Sequence, residues 1–146
     1  MFPRMYIQFA LFADGANISQ EGKLNILGVF DAVQVQGLPA VHPRATLVVR
    51  LKGSRADEGV HRVGLHWLNP SGAELWSSMG ELEVLAPPNE ATELDFPLIA
   101  AVDLPLDAAG AYTMRISLDD EPKSDLRLQV RSTPVSPVMP MTGMVS

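Results

Sequence analysis

The sequence predicts an all-β fold: an antiparallel, Greek-key, immunoglobulin-like β-sandwich of eight or nine strands. Three observations predict it. No stretch longer than eleven residues is free of glycine and proline, whereas a helical domain needs clean segments of about ten to fifteen residues and an interior proline costs a helix about 3 kcal/mol. Long clean runs, 111–121 and 123–133, alternate apolar and polar residues with period two. Residues 107–112 place Tyr112 early in a late strand, just behind a turn closed by Gly110, which is the pattern of a tyrosine corner. A small closed barrel is the alternative arrangement of the same strands.

The elements follow in order. Residues 5–14 alternate, with Ile7, Phe9 and Leu11 on one face and Tyr6, Gln8 and Ala10 on the other; 16–18 continue the strand after a kink at Gly15. A turn at 20–22 leads into 24–35, read as one strand. Its apolar register changes at Gly28, from Leu24 and Ile26 to Val29, Val33 and Val35, and a glycine at such a change predicts a bulge. Residues 37–43 carry two prolines and His42 and read as a connection. Residues 45–52 put Leu47, Val49 and Leu51 inward and Thr46, Val48 and Arg50 outward. After a charged loop at 53–59, residues 60–69 point Val63, Leu65 and Trp67 inward.

Asn69, Pro70, Ser71 and Gly72 suit a type I turn. Residues 73–84 read as a strand interrupted near Gly80, and 87–89 as a stiff loop. In 93–102, Leu94, Phe96, Leu98, Ala100 and Val102 share a face. Pro97 falls on the opposite face and predicts an edge strand or a bulge, because proline cannot donate to a ladder. Residues 104–110 read as a loop. Tyr112, Met114, Ile116 and Leu118, then Leu126, Leu128 and Val130, mark the last two strands around an aspartate-rich turn. No segment reads as a crossover helix, so antiparallel pairing is expected throughout.

The 146 residues suit one domain, expected over 1–130, with a Pro/Met-rich tail over 131–146. There are no cysteines, so no disulfide or thiolate site is available; that favours a reducing compartment, and a cytoplasmic location is expected. The net charge is −6 and the arginines are scattered. With no basic stripe, a nucleic-acid partner is not expected. No apolar run approaches the eighteen residues of a membrane span, so no membrane partner is expected.

The candidate chemistry is sparse. His61 and His66 lie five apart on one strand, hence on opposite faces, and cannot chelate one ion together. His42 sits between prolines. Asp119, Asp120, Glu121 and Asp125 cluster at a turn without the spacing of a calcium loop. No nucleophile elbow, phosphate loop or paired-histidine zinc motif occurs. No enzyme activity, metal or cofactor is therefore expected. Trp67 shares a face with Val63 and Leu65 and reads as core. Trp76, beside a Ser77-Ser78 pair, reads as a possible contact with a ligand or partner. Structural roles fall to Tyr112, Gly110, Gly28 and Trp67; contact roles fall to His42, Trp76, Met139 and Met141.

The stretch Gly22-Lys23-Leu24-Asn25-Ile26-Leu27-Gly28-Val29-Phe30-Asp31 lies downstream of Asp14 and upstream of Leu38-Pro39-Ala40-Val41-His42-Pro43. With Asn69-Pro70-Ser71-Gly72 it resembles a family of small uncharacterised bacterial proteins, a domain of unknown function, over residues 6–130. The resemblance implies a β-sandwich and carries no activity. In the tail, Pro134, Pro137 and Pro140 alternate with Val, Ser and Met. Its prolines bar a regular strand, and its apolar residues suit an arm laid on a neighbouring subunit. The expected function is thus a non-enzymatic interaction module that self-associates or docks on a larger assembly. The alternative is a sandwich that binds a small molecule or carbohydrate through Trp76 or the region near His42.

Overall fold

Among the described residues, turn residues separate nine strands: β1 (Tyr6–Ile18), β2 (Leu24–Phe30), β3 (Ala32–Val35), β4 (Ala40–Gly53), β5 (Gly59–Leu68), β6 (Glu74–Val84), β7 (Leu94–Leu106), β8 (Gly110–Leu118) and β9 (Glu121–Ser132). The computed structural model describes residues 4–86 and 93–133. One sheet, A, has the order β2-β1-β4-β7; the other, B, has the order β3-β9-β8-β5-β6. The sheets stay separate, so the fold is an immunoglobulin-like sandwich and not a closed barrel.

Local chemistry sets the turns. Asn69 Oδ1 accepts from the Ser71 and Ala73 backbone N–H groups at 3.1 and 2.8 Å, and Gly72 N–H closes the turn onto Asn69 O at 2.8 Å. Asp119 and Asp120, at φ 51° and 68°, occupy the left-handed region that the tight β8–β9 hairpin requires.

The core lies between the sheets. Phe12, Leu47, Leu51, Leu104, Met114 and Ile116 are all buried there, and each such side chain contributes roughly 1.5–3 kcal/mol of transfer free energy. An aromatic relay runs through it. The Phe12 ring stacks on Phe30 at 6.0 Å and meets Trp67 edge-on at 6.1 Å, and Trp67 stacks on Tyr112 at 5.1 Å.

Several sequence expectations are corrected. Residues 24–35 are two strands in different sheets, and β3 pairs with β9 in parallel, so the pairing is not antiparallel throughout. No bulge occurs at Gly28. The register runs unbroken from Gly15↔Leu27 to Ala13↔Val29, so Val29 faces outward and not into the core. Gly28 is required for another reason: its φ is +72°, and a Cβ there would meet Asp14 Oδ2 at 2.2 Å.

The bulge falls instead between Ile7 and Phe9 in β1. It switches the inward set to Ile7, Ala10 and Phe12. His42 lies within β4, not in a loop, because a second irregularity at His42/Ala45 lets the strand begin at Ala40. β6 is continuous through Gly80, β7 extends to Leu106, and β9 runs two residues into the expected tail.

Candidate interaction surface

Tyr112 begins at the β7–β8 crossing. Its buried hydroxyl accepts from the backbone N–H groups of Asp107 and Ala108 at 2.8 and 2.9 Å, and lies 2.8 Å from Asp107 Oδ1 and 2.7 Å from Ala108 O, either of which can take its proton. Burial pushes the Tyr112 phenol upward. Hydrogen bonds from Asn69, then from Tyr112, hold Asp107 below the usual carboxylate range. Gly110, at φ +138°, lets this loop meet the β5–β6 turn: a Cβ there would stand 2.9 Å from Pro70 Cγ. This corner is closed, with its buried polar groups paired.

The adjoining edge of the sandwich is open. β6 and β7 are the adjacent edges of the two sheets. The inward face of β6 carries Trp76, Ser78 and Gly80, and β7 meets it with Ala100 and Val102. Ser78, Gly80 and Ala100 are too small to close the sandwich there. They leave a groove of about 590 Å³, with Leu65 as part of its wall. Trp76 stands half-buried at its rim, its indole N–H donating to Asp103 O at 3.0 Å. Trp67 directs its own to Pro105 O at 2.9 Å. In an antiparallel ladder, alternate residues turn both backbone groups to the same side. Asp103 and Pro105 share that parity with Pro97, so the free edge of β7 is already capped by two indoles and lacks two N–H groups.

The groove wraps around β7 onto the outer face of sheet A, where Val41 and Ala101 line it. Much of that face is apolar, beside a charged end at Arg50, Lys52 and Asp95. Leu11, Val48 and Ile99 form one cross-strand row. Val48 has no exposure, yet it stands outside the cluster that fills the interior. Leu27, Val29 and Val41 are 74%, 60% and 58% exposed. Charge on this face is self-contained: Arg50 Nε donates to Asp95 Oδ1 at 2.9 Å, and that hydrogen bond holds the Asp95 carboxyl low.

The outer face of sheet B is its opposite. Arg115 grips Asp125 through two hydrogen bonds at 2.9 and 3.1 Å, and His66 Nδ1 lies 2.7 Å from Glu74 Oε1.

The remaining candidates sit in structural contacts. His42 packs against Phe30, ring centroids 5.4 Å apart, away from the groove. His61 Nδ1 lies 2.7 Å from Asp119 Oδ2, and its Nε2 contacts Asp57 O. Both partners only accept, so both contacts together require the imidazolium. Burial lowers the His61 pKa, but the Asp119 and Asp57 hydrogen bonds outweigh it and the net shift is upward. Among the described residues, no group of three or more His, Cys, Asp or Glu could hold a metal ion, and no helix is long and apolar enough to cross a membrane. Met139 and Met141 lie outside the described residues. The sequence reading missed the outer face of sheet A. Its signal was available: in β4 and β7, Val48 and Ile99 are apolar at the outward parity, so these strands are apolar on both faces.

No curated protein matches the chain. Among solved structures, it is similar to an immunoglobulin-like protein, PA1606, from Pseudomonas aeruginosa, at 11% identity over 88% of this chain and 98% of that one, with a TM-score of 0.38. The family resemblance read from the glycine-bounded second strand is met across the whole sandwich: the chain belongs to a family of unknown function, DUF6941, whose model matches residues 8–131.

Proposed function

We propose that this chain is a non-enzymatic protein-interaction module, working in a reducing, cytoplasmic setting, that self-associates through the outer face of sheet A. One observation carries the reading: the outer face of sheet A carries an apolar patch around the Leu11, Val48 and Ile99 row, with Leu27, Val29 and Val41 exposed, beside one paired charge cluster at Arg50, Lys52 and Asp95, whereas sheet B turns Arg115, Asp125, His66 and Glu74 outward. An antiparallel sandwich sheet ordinarily keeps one face wet. A contiguous exposed apolar patch beyond a few hundred Å² marks a contact surface. A second copy brings the same apolar rows, and the Arg50–Asp95 pair, already satisfied, adds no uncompensated charge to the contact.

The test is light scattering of the full chain across a wide concentration range. The expected mass rises above the 15.8 kDa monomer and returns to it in Val29→Glu. A wild-type mass fixed at the monomer value throughout overturns self-association. The Trp76 groove, sized for a small molecule, favours a second reading as a carbohydrate- or ligand-binding sandwich. Quenching of tryptophan emission by a saccharide panel, at constant mass, is its signature.

A further inference from the structure

We propose that the groove between β6 and β7 receives the proline-rich segment 134–141 from a second copy of this chain. The inference rests on the self-association reading and names what else the two copies exchange.

The groove favours an occupant that needs no backbone pairing. Added strands bind through main-chain hydrogen bonds, but this edge of β7 has Pro97 and Pro105 without N–H groups, and its Asp103 and Pro105 carbonyls already accept from the two indoles. What remains is mostly apolar: a half-buried indole at the rim, with Leu65, Ala100 and Val102 as walls beside the Ser78 hydroxyl. Such aromatic-rimmed apolar grooves suit a polyproline II chain, which arrives already extended and loses little entropy on docking.

The sequence contains one such segment. Pro134, Pro137 and Pro140 recur every third residue, which is the repeat of a polyproline II turn, and a docked chain of that form would carry all three prolines on one stripe. Val135, Val138 and Met141 recur with the same period and would form a second stripe on such a chain. The segment carries no charge, and neither does the groove apart from Asp103.

The exit point decides whose segment it is. Thr133 N–H donates to Val35 O at 2.9 Å, so the chain leaves the sandwich beside β3, on the far edge of sheet B from β6. From β9, β6 is three strand spacings away, roughly 14 Å. At about 3.1 Å per residue, a chain crossing that width spends about five residues. Its own Pro134 and Pro137 would be used up in the crossing. A second copy can present the whole stripe.

The chain has no cysteine, so an engineered disulfide has no competing thiol. Two full-length variants, Ser78→Cys in the groove and Val138→Cys in the segment, are mixed under mild oxidation. A mixed disulfide at twice the chain mass is expected. It should form several-fold faster than with Ser77→Cys, the neighbouring residue on the outer face of sheet B. A cross-link that forms only within a single chain carrying both cysteines overturns the exchange, as does equal trapping at Ser77→Cys and Ser78→Cys. The scattering mass separates the two proposals. A dimeric mass without the cross-link sinks the segment's role alone; a monomeric mass sinks self-association and the exchange with it.

Discussion

Trp67 and Trp76 face each other across the β5–β6 ladder. Both point inward, and both donate an indole hydrogen bond to a β7 carbonyl. Yet Trp67 has no exposure, whereas Trp76 lines an open groove. The difference is strand position. β5 is flanked by β8 and β6, and Trp67 is stacked on Tyr112. β6 is an edge, and its inward neighbours Ser78 and Gly80 supply no cover. One side of this sandwich is therefore built for stability and the other is left available for contact. The two should be separable by substitution.

The largest expected effect is at the closed corner. Trp67→Ala removes a fully buried ring from the aromatic relay and should cost about 3–5 kcal/mol in urea unfolding. Should Trp76→Ala cost as much, the contrast between the two positions collapses. Tyr112→Phe comes next. It leaves the Asp107 and Ala108 N–H groups without their acceptor, and a loss of about 1–3 kcal/mol is expected. Its association behaviour should be unchanged, because the Tyr112 hydroxyl is buried and bonds only to Asp107 and Ala108.

Ala101→Glu, on the exposed edge beside the groove, sharpens the contrast from the other side. Its stability should stay within about 0.5 kcal/mol of wild type, while the Ser78–Val138 cross-link slows several-fold. A stability loss without a change in trapping would reverse the assignment of the two regions.

The smallest effect is at His61. Its folded pKa is raised, so the protonated state stabilises the fold. That contribution is fully present below the unfolded value of about 6.5 and is lost as pH climbs through the folded value. The melting temperature of wild type should therefore fall slightly more than that of His61→Gln as pH rises from just above 6.5. Parallel profiles would show that the Asp119 and Asp57 contacts contribute nothing.

Much of the closed region was legible in the sequence. The alternation of Tyr112, Met114, Ile116 and Leu118 placed β8 and its inward face, and the 107–112 spacing announced the corner. These are local signals: side-chain direction follows a period of two within one strand, and turns follow nearest neighbours. The misreadings were local signals broken by non-local events. The bulge in β1 cannot be seen without its partner β4, and Gly28 was needed for the approach of Asp14, not for a change of register.

The all-β class, most strand faces, the tyrosine corner and the every-third spacing of Pro134, Pro137 and Pro140 follow from local sequence. The tertiary structure alone decided the strand order that makes β6 and β7 edges. It also decided the crossing of residues 24–35 between sheets, and the joining of Leu11, Val48 and Ile99 into one outward row. Periodicity fixes which way a side chain points relative to its own strand. Whether that direction meets core, water or another molecule depends on which strands lie beside and across from it, and those partners are set by contacts between residues far apart in the chain.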